Sequence, residues 1–196
     1  MIKMSDAEYV GQFKVKSGSL RVSDPSYDKD TWCAGVIEDV KNGNWESYIK
    51  LDETSSRVSE LISLYSDVSS VTRKKDNWIE QSIEVGVDSG QCGIFDDDYY
   101  PNVKTGEFGD TETFYGKCCD MTTSEFSGVL DFGTVSSSGF GDGSYVCYTL
   151  EDKNGVVGVK IVFIEEDEIT DEDYDSFKEY DDSDDNNVNY SYNDED

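Results

Sequence analysis

Short stretches in which apolar and polar residues alternate, each bounded by Gly, Asn, Asp or Pro, recur along residues 1–164. Alternation with a period of two residues is typical of β-strands that bury one face. The pattern predicts strands at 13–15, 19–23, 33–40, 45–51, 79–87, 91–95, 129–135, 144–150 and 156–164. The favoured turn pair Asn42-Gly43 is expected to join the strands at 33–40 and 45–51 as a hairpin, and the strand at 91–95 is expected to pair with 79–87.

The last two strands flank Asp152-Lys153-Asn154-Gly155, which predicts a second hairpin. Its second strand should bury alternate residues on one face of a sheet. Those residues are Val157, Val159, Ile161 and Phe163.

One segment has the spacing of a helix instead. Val58, Leu61, Ile62 and Tyr65 fall at i, i+3, i+4 and i+7, so a helix is predicted there. Thr122 and a Glu three residues later match a capping box, but Gly128 leaves room for only one helical turn before the next strand. The predicted fold is mainly β (α+β), with antiparallel sheets or a β-sandwich and one packed helix in a single domain, residues 1–164.

Charge separates the end of the chain from this domain. Sixteen of the 32 residues at 165–196 are acidic and one is basic, so this segment is expected to be a disordered acidic tail. Aromatic residues recur every third position within it, which predicts a short helix that forms on binding a partner; a purely solubilising tail is the alternative. The predicted partner-binding residues of the tail are Asp171, Glu172, Asp173, Tyr174, Phe177, Tyr180, Asp181 and Asp182.

The whole chain has 44 acidic and 16 basic residues and a formal net charge of −28. That charge repels nucleic-acid phosphates and anionic membranes, so neither is an expected partner. It attracts basic protein surfaces. Five cysteines without regular spacing are expected to be reduced thiols, and no apolar run is long enough for a membrane helix, so a cytoplasmic protein is predicted.

The candidate chemistry is sparse. Histidine is absent, which removes the commonest general base, and no cofactor is predicted. The run Asp96-Asp97-Asp98 is the densest carboxylate cluster before the tail, with Asp96 and Asp98 as candidate cation ligands, but the calcium-loop pattern is not met and a solvated turn is the favoured interpretation. The sequence predicts a protein that is not an enzyme.

Three separated motifs carry a family resemblance. They occur in 17–25, 86–90 and 138–145, and the residues that define them are Asp24, Pro25, Asp88, Ser89, Gly90, Gly139, Gly141, Asp142, Gly143 and Tyr145. In order and approximate spacing they resemble the domain-of-unknown-function 4241 family of bacteria and their phages. The resemblance implies a compact β-rich domain and no established reaction. The small size and the extra acidity are consistent with a phage-encoded member, which would act in the host cytoplasm.

The favoured function is therefore a non-enzymatic acidic binding protein that inhibits or modulates a host protein, such as a nucleic-acid-binding enzyme or a protease, through that protein's basic surface. DNA mimicry is its sharpest form. A domain of this size spans roughly 40 Å, along which duplex DNA carries about 24 phosphates. Because the charge before the tail falls short of that number, mimicry requires the tail, a polarised face or a homodimer. A carboxylate-dependent cation-binding protein or enzyme, centred on Asp88 and Asp96 to Asp98, is one alternative, and a structural or virion-associated protein is another.

Overall fold

The computed structural model describes residues 7–69 and 77–165. Eleven strands and one helix form in this part of the chain. They are β1 (Ala7–Val15), β2 (Leu20–Ser23), β3 (Gly35–Ile37), β4 (Gly43–Leu51), β5 (Val58–Tyr65), β6 (Trp78–Val87), β7 (Gln91–Asp96), α1 (Phe114–Glu125), β8 (Ser127–Leu130), β9 (Gly133–Ser137), β10 (Gly143–Asp152) and β11 (Gly155–Val162).

The strands form two antiparallel sheets. The six-stranded sheet has the order β1-β4-β5-β11-β10-β6, and the five-stranded sheet has the order β3-β2-β7-β9-β8. Their facing sides share one core, in which Trp45 and Ile161 of the first sheet pack with Leu20 and Ile94 of the second. The fold is thus a β-sandwich with one helix, and the predicted fold class is confirmed.

Both edge strands of the six-stranded sheet are irregular. The register of β1 against β4 shifts between Tyr9 and Gly11, and the register of β6 against β10 shifts between Glu80 and Glu84. Extra residues of this kind are β-bulges, which bend a strand and increase its twist.

The predicted hairpin at residues 144–164 is confirmed, because β10 and β11 pair directly around the turn. The prediction that its second strand buries four alternate residues on one face was wrong for Val157. The register shifts next to Val157, so this residue joins Ile62 and Leu150 on the outer face while Val159 and Ile161 face the core between the sheets. A bulge changes which face the following residues occupy, and alternation alone does not locate it.

The helix predicted from Val58 to Tyr65 is wrong, since these residues form β5. This strand lies inside the six-stranded sheet between β4 and β11, and Leu61 and Ile62 are buried on opposite faces. A strand that is buried on both faces is apolar at most positions, so apolar residues also occur at the i, i+3 and i+4 spacing of a helix.

The helix instead spans Phe114–Glu125, with Thr113 as its N-cap. The predicted capping box at Thr122 is also wrong, because this side chain lies in the last turns and its hydroxyl donates to the carbonyl of Cys118 at 3.0 Å. The helix packs on the outer face of the five-stranded sheet through an aromatic cluster that includes Phe95, Phe114 and Phe132. All five cysteines are free and buried.

Three strand predictions need correction. Residues 33–40 and 45–51 do not form a hairpin, because β3 pairs with β2 whereas β4 pairs with β1 and β5. The strand at 91–95 is β7, which pairs with β2 and β9 and not with β6. The segment 129–135 is not one strand, since a turn separates β8 from β9.

No helix in the described ranges is long and apolar enough to cross a membrane.

Candidate functional site

One buried carboxylate joins two loops, and a third loop is tied to them through the turn 88–90. Asp24 follows β2 and is fully buried. One of its oxygens accepts the backbone N–H groups of Asp88 at 2.8 Å and Ser89 at 2.7 Å, and the other accepts the N–H of Ser26 and the hydroxyl of Ser89, both at 2.7 Å. The side chain therefore fixes the loop 24–34 against the turn 88–90 that joins β6 to β7.

The turn itself depends on Gly90, whose φ of +68° lies in the left-handed region that glycine adopts without strain. Its carbonyl accepts the N–H of Ser138 at 3.1 Å, which ties the turn to the loop 138–142 between β9 and β10. In that loop the Tyr145 hydroxyl lies 2.9 Å from the carbonyl of Ser138 and 2.6 Å from that of Gly141. The third loop is thus held in place by both its ends.

A second tyrosine braces the loop 24–34 from below. Tyr100 is buried, and its hydroxyl lies 3.0 Å from the carbonyl of Asp24 and 2.7 Å from that of Tyr27. Burial raises the pKa of the Tyr100 phenol, so the hydroxyl keeps the proton with which it donates. The loop that carries Tyr27 and Trp32 is therefore anchored to the five-stranded sheet.

Between these loops lies a groove of about 350 Å³, which we call the acidic groove. Its floor is the end of β6, and its walls come from the loop 24–34 and the start of β10. The lining contains three carboxylates, three aromatic or sulfur side chains and no lysine or arginine. The lining residues are Tyr27, Thr31, Trp32, Cys33, Glu84, Gly86, Val87, Asp88, Asp142, Gly143 and Ser144.

Neutral donors hold two of the three carboxylates. The Ser144 hydroxyl donates to Glu84 at 3.0 Å, and Asp88 is hydrogen-bonded to the phenol of Tyr27. Burial, followed by the hydrogen bonds to Asp88 and to Cys33, raises the pKa of Tyr27. The phenol therefore stays protonated and donates, which leaves the negative charge of the groove uncompensated.

Gly86 allows the loop to approach the floor of the groove. Its N–H donates to the carbonyl of Cys33 at 2.9 Å, and a Cβ at this position would lie 2.8 Å from the Cys33 sulfur. A side chain on residue 86 would therefore push the loop away from β6.

Comparisons with protein-family models, curated proteins and solved structures find no match for this chain. The similarity to the domain-of-unknown-function 4241 family stays a prediction. Some of the motif residues nevertheless have a clear place in the structure, because Asp88, Asp142 and Gly143 line the acidic groove and Asp24 holds the turn that carries Asp88.

The run Asp96-Asp97-Asp98 lies at the other end of β7 and forms a structural contact. Asp96 is buried and accepts the N–H groups of Lys16 at 2.6 Å, Ser17 at 3.2 Å and Asp98 at 3.2 Å.

Its neighbour Asp97 pairs with Arg21 at 2.7 Å and Lys29 at 3.3 Å. Within residues 7–69 and 77–165 no three His, Cys, Asp or Glu side chains are arranged to hold a metal ion, so Asp88 and Asp96 to Asp98 do not converge.

Sequence reasoning found part of the site. It singled out Asp88 and Asp142 but missed Glu84, Tyr27 and Trp32, which come from separate elements and have no local motif. A tryptophan inside a polar, turn-forming segment was the one signal available. The partner-binding residues predicted within 171–182 lie outside the described residues.

Proposed function

We propose that this chain is a non-enzymatic acidic binding protein, which inhibits or modulates a host protein by occupying that protein's basic surface. The observation that carries the proposal is the acidic groove: three carboxylates and exposed aromatic surface without one basic residue in its lining, on a chain of net charge −28. The partner is a protein whose own ligand is anionic, such as a nucleic-acid-binding enzyme, or a protease with a basic substrate channel.

Charge acts at two ranges in this proposal. The net charge attracts a cationic partner over distances of about one Debye length, roughly 10 Å at 0.1 M salt, and accelerates encounter. Contacts in a shaped site then determine which partner remains bound. The acidic groove supplies such a site, and the acidic residues beyond 165 add to the long-range attraction.

The rigidity of the site favours binding over a solubilising role alone. Asp24, Tyr100 and Tyr145 hold the three loops by hydrogen bonds to backbone groups, so the groove exists before a partner arrives. A preformed site loses less conformational entropy on binding than a mobile one.

The test uses the immobilised full-length chain to capture proteins from a host extract at about 0.05 M salt, with poly-glutamate of equal charge density as the matched control surface. A captured protein is then purified, its affinity is measured at about 0.1 M and about 0.4 M salt, and its activity is assayed with and without the chain.

The proposal requires a stoichiometric complex that changes the partner's activity and that weakens with salt. A variant with Asn or Gln at Asp171, Glu172, Asp173, Asp181 and Asp182 distinguishes the contribution of the tail to binding from that of the domain. If poly-glutamate captures the same proteins with the same affinity, the chain acts only as a generic polyanion and the proposal fails. Competition by duplex DNA for the same partner surface would identify the DNA-mimic form.

A further inference from the structure

We propose that the acidic groove is a recognition site for an arginine side chain of a partner protein, with the guanidinium group on the Trp32 indole and the groove carboxylates as its acceptors. The inference deepens the proposed function and rests on it, since it names the chemical group on the basic partner. Three independent features of the described residues lead to it.

The first feature is the exposure of Trp32. Its side chain is 80% exposed, the largest value among the exposed large hydrophobic residues of the described chain. Tryptophan is the aromatic residue with the strongest attraction for a cation above its ring. A cation bound at the edge of the acidic groove would therefore be attracted by the Trp32 ring and by the groove carboxylates together.

The second feature is the absence of a lysine or arginine side chain over the Trp32 ring in the described residues. Lysine or arginine side chains lie over seven rings in the described residues, including the exposed rings of Tyr99 and Phe140, at 4.7 Å and 5.2 Å. No lysine or arginine of residues 7–69 and 77–165 lies over Trp32 in this way. The exposed rings of Tyr9, Phe108 and Phe126 also have no cation of the described chain over them, but Trp32 is the one of these four uncovered rings that lines the acidic groove.

The third feature is that the charges of the groove have no ion-pair partner within the described chain. The acidic residues in its ion pairs are Glu60, Asp97 and Glu107, none of which lines the groove. Glu84 and Asp88 accept only from neutral hydroxyl groups, so both remain available to a positively charged donor. A charge-assisted hydrogen bond is roughly twice as strong as a neutral one.

Geometry favours arginine over lysine. A guanidinium group is planar, stacks on an aromatic face and donates to two carboxylates at once, whereas an ammonium group is a compact and strongly hydrated point charge. The volume of about 350 Å³ lies at the small end of the range for ligand pockets and suits one side chain better than a folded element.

The experiment titrates the full-length chain, labelled with ¹⁵N, with N-acetyl-arginine amide and follows the Trp32 indole N–H signal by NMR. Trp32→Phe assigns that signal, and the backbone amide of Gly143 reports from the opposite wall. We expect a saturable shift of both signals with the arginine compound, a weaker one with N-acetyl-lysine amide, and none with the neutral isostere N-acetyl-citrulline amide.

Two groove variants test the acceptors. Asp88→Asn and Asp142→Asn should each weaken arginine binding roughly two- to fivefold, as expected for exposed ion pairs. Asp131→Asn and Glu125→Gln are matched controls, since both residues are exposed and lie outside the groove lining. These control variants should leave the affinity for the arginine compound unchanged, because neither residue would contact the ligand. Only a long-range electrostatic effect of the whole surface would make them weaken binding.

The inference is overturned if the citrulline compound shifts the signals as much as the arginine compound does, or if the control variants weaken binding as much as the groove variants. If either result is found while the full-length chain still captures a basic protein in a salt-sensitive way, the arginine site is refuted and the proposed function stands. If the full-length chain also captures no basic protein, the arginine site and the proposed function are both refuted.

Discussion

Replacing Asp24 with alanine tests whether one buried carboxylate builds the candidate site. The substitution removes the acceptor for three backbone N–H groups, those of Ser26, Asp88 and Ser89. A buried donor left without an acceptor costs about 1–3 kcal/mol. Because Asp88 lies at the surface, water replaces part of the loss, and we expect the low end of the sum, about 3 kcal/mol.

That loss is a large share of the roughly 5–15 kcal/mol by which a domain is stable, and it corresponds to a fall of roughly 6–12 °C in Tm for a chain of this length. Urea unfolding followed by fluorescence, with the fully buried Trp45 as a reporter of the core, measures it. Asp24→Asn keeps one acceptor oxygen, so its effect should be smaller.

Asp142→Asn is the control on the other side of the groove. Its side chain is exposed and accepts no hydrogen bond in the described chain, so stability should change by less than about 0.5 kcal/mol. A loss below about 1 kcal/mol for Asp24→Ala, with an unchanged dependence on urea, would refute the reasoning that this carboxylate holds the loops together.

Three further predictions concern stability. Burial raises the pKa of Cys147 from 9.0 to about 12, and burial together with a hydrogen bond to Cys119 raises that of Tyr115 from 10.0 to about 12. The folded state therefore keeps protons that the unfolded state releases, so urea midpoints should be nearly constant from about pH 7 to about pH 9 and fall as the pH approaches 12; a constant midpoint from about pH 7 to about pH 12 contradicts this. Gly86→Ala should cost about 1–3 kcal/mol in the same unfolding assay, because the new Cβ would lie 2.8 Å from the Cys33 sulfur, and full stability of the variant would show that the loop moves freely. Adding about 1 mM Mg²⁺ should not raise Tm beyond the effect of K⁺ at equal ionic strength, since backbone N–H groups already donate to the Asp96 carboxylate. A stoichiometric rise in Tm would show that Asp96 is a metal ligand after all.

Local pattern predicted the fold class but not the position of the helix. Strands that bury mainly one face, such as β4, have a period that the sequence displays directly. The interior strand β5 is buried on both faces, so its apolar residues carry no period of two. Helix α1 has the opposite problem, because it contains Gly116 and two adjacent cysteines and shows no apolar stripe.

The candidate site was predictable only in pieces. Turn chemistry identified Asp24-Pro25 and Asp88-Ser89-Gly90 as separate motifs, and the structure explains both by the hydrogen bonds that join them. Trp32 could not be placed beside these motifs, because the approach of the loop to Gly86 depends on strand order and not on spacing along the chain.

The irregular strands β1 and β6 have a consequence for behaviour in solution. They are the two outermost members of the six-stranded sheet, and each loses its regular spacing of peptide groups where the register slips. A second molecule would find no straight row of donors and acceptors there to extend, and Glu80 and Glu84 would meet their own copies at close range. Growth of the six-stranded sheet by pairing with a second molecule is therefore disfavoured at both of its outer strands.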